Sequence, residues 1–316
     1  MIVFLLGPTA VGKSEVALRL AEEDGAAILS LDSMQVYRGL DIGTGKPTPA
    51  EQSRIPHGGL DLVEWWQPFD IARYLAAAAA FLHAHANDNG PLYIVGGTGL
   101  YFRALTRGLS EAPPAPEALR DELRTLPLPE LQRRLRAADP AQESHPAFDW
   151  QNPRRVQRAL EVIEITGLPL REWHRRASPP LIPHYRALHL TRERDDLRER
   201  IARRTAAMLE KGWVEEVRAR IGERSIAEMR ECAAIGYPLL AEWIARNPST
   251  SYPSTAAPIP QTVRQTIVDQ TRQYAKRQLT WFKKEPNLET LMIPPGEPST
   301  LTALRLRSHL GTPSLT

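Results

Sequence analysis

Ile2-Val3-Phe4-Leu5-Leu6-Gly7-Pro8-Thr9-Ala10-Val11-Gly12-Lys13-Ser14 opens the chain with an apolar run followed at once by a complete G-x-x-x-x-G-K-[ST] sequence. A short continuous apolar run of this kind reads as a buried parallel strand. Residues 15–23, EVALRLAEE, put Val16, Ala17 and Leu20 on one face. Strand, glycine turn and helix therefore stand in the order a phosphate loop requires. The glycines let backbone N–H groups approach a phosphate chain, and the helix N-terminus adds partial positive charge. Lys13 neutralises oxygens and Ser14 offers a hydroxyl to Mg²⁺.

Two more apolar runs lie outward from this one and end in polar residues. Ala26-Ala27-Ile28-Leu29-Ser30-Leu31 leads into Asp32-Ser33-Met34-Gln35, and Pro91-Leu92-Tyr93-Ile94-Val95 leads into Gly96-Gly97-Thr98-Gly99. Between them residues 71–86, IARYLAAAAAFLHAHA, predict an alanine-rich helix. The alternation implies an α/β fold, a phosphate-loop NTPase-like parallel sheet core. Ligands of such sheets sit beyond the carboxyl ends of the strands, so Lys13, Asp32 and Thr98 are expected in one crevice. Strand 91–95 ends without the carboxylate that hydrolytic NTPases present to Mg²⁺, which leaves Asp32 to serve a metal or to accept a proton. Two classes remain at this point: a small-metabolite kinase using ATP, or a transferase whose donor carries a diphosphate leaving group.

The net charge of +3 conceals a strong asymmetry. Residues 1–110 hold 8 Lys+Arg against 11 Asp+Glu, and residues 111–150 hold 5 against 8. Residues 151–220 reverse this with 16 against 10, and residues 261–316 hold 8 against 4. An acidic first half joined to basic segments suits a catalytic portion attached to a surface for a polyanion. The apolar run at 2–6 is too short for a signal peptide, and no run reaches the ~20 residues of a membrane helix. The single cysteine, Cys232, can form neither an internal disulfide nor a multi-cysteine zinc site, which fits a reducing cytoplasm. His83 and His85 read as solvated residues on the alanine helix.

The stretch Asp32-Ser-Met-Gln-Val-Tyr-Arg-Gly-Leu-Asp-Ile-Gly-Thr-Gly-Lys-Pro47, taken with Gly7–Ser14 and Gly96-Gly-Thr-Gly-Leu-Tyr-Phe102, resembles the tRNA dimethylallyltransferases, also called tRNA isopentenyltransferases. The likeness continues through Arg155-Val-Gln-Arg-Ala-Leu-Glu161, Arg204–Gly212, Ile235-Gly-Tyr237 and Lys276-Arg-Gln-Leu-Thr-Trp-Phe-Lys283, in family order. It implies transfer of a dimethylallyl group from its diphosphate to N6 of adenosine 37 in the tRNA anticodon stem-loop. It also implies that the aspartate at 32 deprotonates the N6 amine, Thr98 contacts the bridging oxygen of the diphosphate, and Arg204 binds the diphosphate. By the same likeness tRNA is contacted by Asp32, Ser33, Met34, Gln35, Thr98 and Arg120, by Arg154, Arg155, Val156, Gln157 and Arg158, by Ile235, Gly236 and Tyr237, and by Lys276, Arg277, Gln278, Leu279, Thr280, Trp281, Phe282 and Lys283. Family members commonly carry a basic residue after the Gly-Tyr pair, whereas Pro238 follows here.

The base must leave the anticodon-arm stack to be alkylated, which gives the basic segments a role in holding RNA. Asn152-Pro153 reads as an N-cap and first helical residue, with Val156, Leu160 and Ile163 on an inward face. Domain boundaries are expected at 1–115 plus 185–285 for a discontinuous core, 116–184 for a mainly helical insert, and 286–316 for a carboxyl-terminal tail. A strand is predicted at 186–190, a helix at about 194–211 carrying Arg204, a long helix at 261–284, and a mobile Pro/Ser/Thr-rich loop at 247–260. The expected enzyme is a monomeric, cytoplasmic, Mg²⁺-dependent prenyltransferase without a membrane partner. A small-metabolite kinase is its rival, and neither that kinase nor an enzyme prenylating free adenine nucleotides needs two basic segments.

Overall fold

A computed structural model describes residues 1–88, 90–145, 148–247 and 259–310, so most of the loop expected at 247–260 lies outside the described residues. The chain runs β1 (Ile2–Leu6), α1 (Lys13–Asp24), β2 (Ala27–Leu31), β3 (Tyr37–Arg38), α2 (Pro49–Arg54), β4 (His57–Gly58), β5 (Val63–Glu64), α3 (Ile71–Ala84), β6 (Leu92–Gly96) and α4 (Gly99–Arg107). Helices α5 (Glu117–Thr125), α6 (Leu128–Ala138), α7 (Pro153–Thr166) and α8 (Leu170–Arg175) follow. Then come β7 (Arg186–Arg192), α9 (Arg194–Glu210), α10 (Trp213–Glu223), α11 (Ile226–Arg230), α12 (Tyr237–Arg246), α13 (Gln261–Phe282), β8 (Glu289–Ile293) and α14 (Ser299–Leu310).

Six strands form one parallel sheet in the order β4-β2-β6-β1-β7-β8, the phosphate-loop α/β arrangement that the opening strand and its glycine turn predict. Buried on both faces, its central strands are apolar apart from Ser30, which is why they read as runs rather than as alternations. Leu6 and Leu31 both stand beside Gly96 in the register, so three strands end level with one another. That alignment sets the phosphate loop, Asp32 and Thr98 side by side.

Two compact units make up the chain, Met1–Phe102 with Pro183–Thr316, and Arg103–Ile182. The second begins earlier than the expected residue 116. The division falls inside α4, and the prolines at 113–116 lie in an irregular segment within the second unit rather than at its edge. This unit closes on itself where Ser178 N donates to Leu109 O at 2.9 Å and Ile182 N to Leu105 O at 2.8 Å. Its core is Leu123, Leu131, Leu135, Val156 and Leu160. Asn152 caps α7 as the sequence predicts, its carboxamide oxygen accepting from Arg154 N and Arg155 N at 3.1 and 3.3 Å.

Residues 286–310 are not a separate tail. Glu289–Ile293 is the edge strand beside β7, and α14 buries Leu306 and Leu310 in the same apolar cluster as Leu5, Leu20 and Leu190. Arg307 of α14 pairs with Asp24 and with Glu23 at the end of α1. A third apolar cluster gathers Leu40, Val214, Tyr237 and Leu240 around Trp213. Among the described residues no helix is long and apolar enough to cross a membrane.

Candidate active site

The phosphate loop is held in shape from outside as well as by its own glycines. Gly7 has φ +150°, and a Cβ there would lie 2.5 Å from Leu190 O, so only glycine fits between β1 and β7 at this point. Arg192 Nε donates to Val11 O at 2.8 Å and Arg200 Nε to Ala10 O at 2.9 Å, fixing the outer carbonyls of the loop. Lys13 folds back, its Nζ donating to Gly7 O at 2.9 Å and Pro8 O at 2.7 Å. Burial first, and the Arg204 charge second, pull its ammonium down to about 7 against the opposing effect of Asp32.

Beyond the ends of β1, β2 and β6 lies a cavity of about 310 Å³, lined by both chemistry and hydrocarbon. Lys13, Arg204 and Arg277 are its cations, and Asp32 is the one carboxylate in its lining. Met34, Ile201, Met208 and Ile235 supply apolar wall. Arg204 reaches in from α9, donating through Nη1 to Thr9 Oγ1 at 3.3 Å and through Nη2 to Thr44 O at 3.4 Å. Its guanidinium is drawn down by burial and held up by Asp32. Asp32 begins a turn in which its Oδ1 accepts from Met34 N at 2.8 Å. Thr98 Oγ1 accepts from Ser33 N at 3.2 Å, tying the turn after β6 to the turn after β2. Ser14 is exposed and lines both this cavity and a neighbouring hollow beside Arg200 and Arg203.

The residues that the sequence connected with RNA divide by burial. Lys276, Arg277 and Thr280 are exposed on α13 and Lys283 at its C-cap, and Arg120, Arg154 and Arg155 are exposed in the helical unit. Val156, Tyr237 and Phe282 are 0%, 0% and 1% exposed and belong to the core, so their side chains offer no surface to RNA. Tyr237 O–H donates to Glu216 Oε1 at 2.5 Å, and Pro238 follows it as the second residue of α12. Gly236 is buried as well, with Trp213 at the place a side chain would occupy, while Leu279 packs on the main core. Arg158 is spent inside its own unit, its Nη2 donating to Ala112 O and Pro113 O at 3.0 and 3.1 Å. Gln157 Nε2 donates to Arg120 O at 3.2 Å and Glu161 Oε1 at 3.0 Å. Trp281 lies over Gly99, where a Cβ would come within 2.3 Å of the indole.

Gln278 is buried and bonded to the phosphate loop. Its Oε1 accepts from Thr9 N at 2.8 Å while its Nε2 donates to Gly97 O at 3.1 Å, joining the loop to the turn after β6. Gln35 is similarly engaged, accepting from Ser30 Oγ at 2.7 Å and donating to Gly45 O at 3.0 Å. Sequence reading missed Arg192, Arg200, Tyr274 and Glu216. The first two looked like ordinary strand and helix arginines, and Tyr274 lies on α13 among basic residues, although it is half-buried and lines the cavity. Among the described residues no group of three His, Cys, Asp or Glu side chains is placed to hold a metal ion.

Comparisons with known proteins agree with this geometry. Residues 35–285 match the family model described as IPP transferase, and residues 1–56 match that of isopentenyl transferase. A tRNA dimethylallyltransferase of Methylacidiphilum infernorum is 40% identical over 287 residues, 91% of this chain and 84% of the relative. One from Geobacter sulfurreducens is 39% identical over 306 residues, 93% of this chain and 92% of the relative. Among solved structures, the full-length tRNA isopentenylpyrophosphate transferase of Bacillus halodurans aligns with a TM-score of 0.67 at 30% identity, covering 98% of this chain and 95% of that one. A eukaryotic dimethylallyltransferase acting on tRNA shares the fold with a TM-score of 0.77 at 22% identity, covering 100% and 81% of the two chains. With strand, phosphate loop and cavity in place and the family model spanning residues 35–285, the chain belongs to the IPP transferase family.

Proposed function

We propose that this protein transfers the dimethylallyl group of dimethylallyl diphosphate to N6 of adenosine 37 in tRNA, releasing diphosphate. The observation that carries the reading is the single cavity in which one carboxylate, Asp32, shares an apolar-walled space with Lys13 and Arg204. An allylic C–O bond ionises readily once its leaving group is neutralised, and an exocyclic amine must lose a proton to remain alkylated. In the transfer the C1–O bond breaks, the N6–C1 bond forms, Asp32 accepts the N6 proton, and the electron pair leaves on the diphosphate. Lys13 and Arg204 hold that charge, with the phosphate-loop amides and Thr9, while Thr98 ties the turn after β6 to the turn that carries Asp32.

The lining fits a divalent ion carried mainly by the diphosphate's own oxygens and by water, because Asp32 is its one carboxylate and, together with the Ser14 hydroxyl at the phosphate loop, falls short of a full ligand set. Mg²⁺ held at Ser14 would supply further neutralisation of the leaving group. The exposed arginines 120, 154 and 155 and the exposed Lys276, Arg277 and Lys283 support a role in gripping the anticodon stem-loop, the flipped base being inserted over the apolar wall. A kinase for a small metabolite has no use for that wall or for those cations. We take the enzyme to act as a monomer in the cytoplasm.

The test is incorporation of label from dimethylallyl diphosphate into an anticodon stem-loop bearing the adenosine, set beside ATP turnover with small acceptors. Label in the RNA is expected; ATP turnover without it would restore the kinase. Asp32→Ala is expected to abolish transfer while changing stem-loop affinity less than about tenfold, and undiminished turnover would remove the base role from Asp32.

A further inference from the structure

The loop after β3 holds one side of the cavity, and its own shape depends on a carboxylate that no motif marks. Asp41–Lys46 turns back on itself, with Gly45 N donating to Ile42 O and Lys46 N to Asp41 O, both at 3.0 Å. Such a turn leaves the N–H groups at its start without partners in the turn itself. Glu216, in the first turn of α10, receives them: Oε2 accepts from Asp41 N at 3.0 Å and Ile42 N at 2.7 Å, and Oε1 from Gly43 N at 3.3 Å. Three successive amides around one carboxylate form an anion nest filled by the protein's own side chain. Tyr237 O–H supplies a fourth donor, to Oε1.

The other end of the same turn faces the reacting groups. Thr44 O receives Arg204 Nη2 and Gly45 O receives Gln35 Nε2. The loop is also seated closely: a Cβ at Gly45 would come within 2.1 Å of Arg204 Nη2, and one at Gly43 within 2.1 Å of Trp213 Nε1. Arg204 therefore has two anchors, Thr9 Oγ1 in the phosphate loop and Thr44 O in this turn, and the second is only as fixed as the turn that carries it.

We propose that Glu216, completed by Tyr237, is a positioning residue that sets the Arg204 guanidinium for the diphosphate through the Asp41–Lys46 turn. This rests on the prenyl-transfer reading, since it takes diphosphate as the anion that Arg204 meets. Replacing the carboxylate by an amide, Glu216→Gln, keeps the shape but puts an NH₂ group against backbone N–H donors, so the nest opens at one corner.

The experiment measures binding of inorganic diphosphate by calorimetry to the full chain, in a cycle of Glu216→Gln with Arg204→Ala, with thermal unfolding followed for every variant. Glu216→Gln is expected to weaken diphosphate about tenfold in the wild-type background and less than twofold in the Arg204→Ala background, because both changes act through one guanidinium. Tenfold losses that multiply in the double variant would overturn the proposal, as would unchanged affinity in Glu216→Gln. If Glu216→Gln does not fold, Tyr237→Phe takes its place, with an expected loss of about threefold that vanishes in Arg204→Ala; an undiminished affinity again refutes it. Diphosphate binding is read without turnover, so failure of prenyl transfer in the labelling assay leaves this outcome separate.

Discussion

Lys13 carries a charge that its buried surroundings do not favour. With its Nζ turned onto two carbonyls and its ammonium drawn down to about 7, mainly by burial, the side chain is largely neutral at pH 8 in the free protein. The sign follows: the folded value lies below the ordinary 10.5, so unfolded chain binds more protons between the two and stability gained from neutral Lys13 grows as pH rises through that window. An arriving diphosphate reverses the preference, and binding at pH 8 should take up about one more proton in wild type than in Lys13→Met. Calorimetry in buffers of different ionisation enthalpy reads that difference directly; equal uptake in the two proteins would place the charge elsewhere. Lys13 was legible from the spacing of the phosphate loop and Asp32 from its place at a strand's end, whereas Arg204 was reached only through the family resemblance. The roles of Gln278, Arg192, Arg200 and Glu216 were not legible, since each acts on backbone far away in sequence, and an acidic pair such as Glu215-Glu216 looks like ordinary first-turn residues of a helix. The same limit put Tyr237 and Val156 among surface contacts: a motif names positions, and burial is decided by packing.

Elements were legible in proportion to their length and to how sharply they begin. α7 shows why: Asn152 and Pro153 mark its start, and the structure places the carboxamide oxygen on Arg154 N and Arg155 N. Asn152→Ala should cost about 1 kcal/mol, measured by denaturant unfolding with an unchanged m-value, because two first-turn amides lose their acceptor. Apolar runs at 2–6, 26–31 and 91–95 stood out for the same reason, being buried strands with abrupt polar ends. β3, β4 and β5 are two residues each and have no periodicity to detect. β8 was missed because an edge strand faces solvent on one side, and ETLMI with its exposed Glu289, Thr290 and Met292 reads as irregular. The insert expected to be mainly helical holds four helices, separated at prolines and by a 3₁₀ turn at Pro140–Ser144.

Across the whole molecule, the division of charge was visible before any fold, but not which cations are free to meet a partner. Along α13 and its C-cap the answer alternates: Gln278 and Phe282 are buried, whereas Lys276 and the capping Lys283 are exposed. In the helical unit Arg158 is held by Ala112 O and Pro113 O while Arg154 and Arg155 are exposed. Counterion release makes this distinction measurable, since each cation that neutralises a phosphate contributes about 0.7–0.9 to the slope of log affinity against log salt. Lys276→Ala and Lys283→Ala should therefore each flatten the salt dependence of stem-loop binding by close to one such increment. Gln278→Ala should leave that slope alone while loosening Thr9 N and Gly97 O, the backbone it joins, and so weaken diphosphate instead. Fluorescence titrations of a labelled stem-loop at four salt concentrations separate the two effects. If the lysine variants keep the wild-type slope, the exposed face of α13 is merely solvated, and the basic carboxyl half must hold its RNA through the arginines of the helical unit.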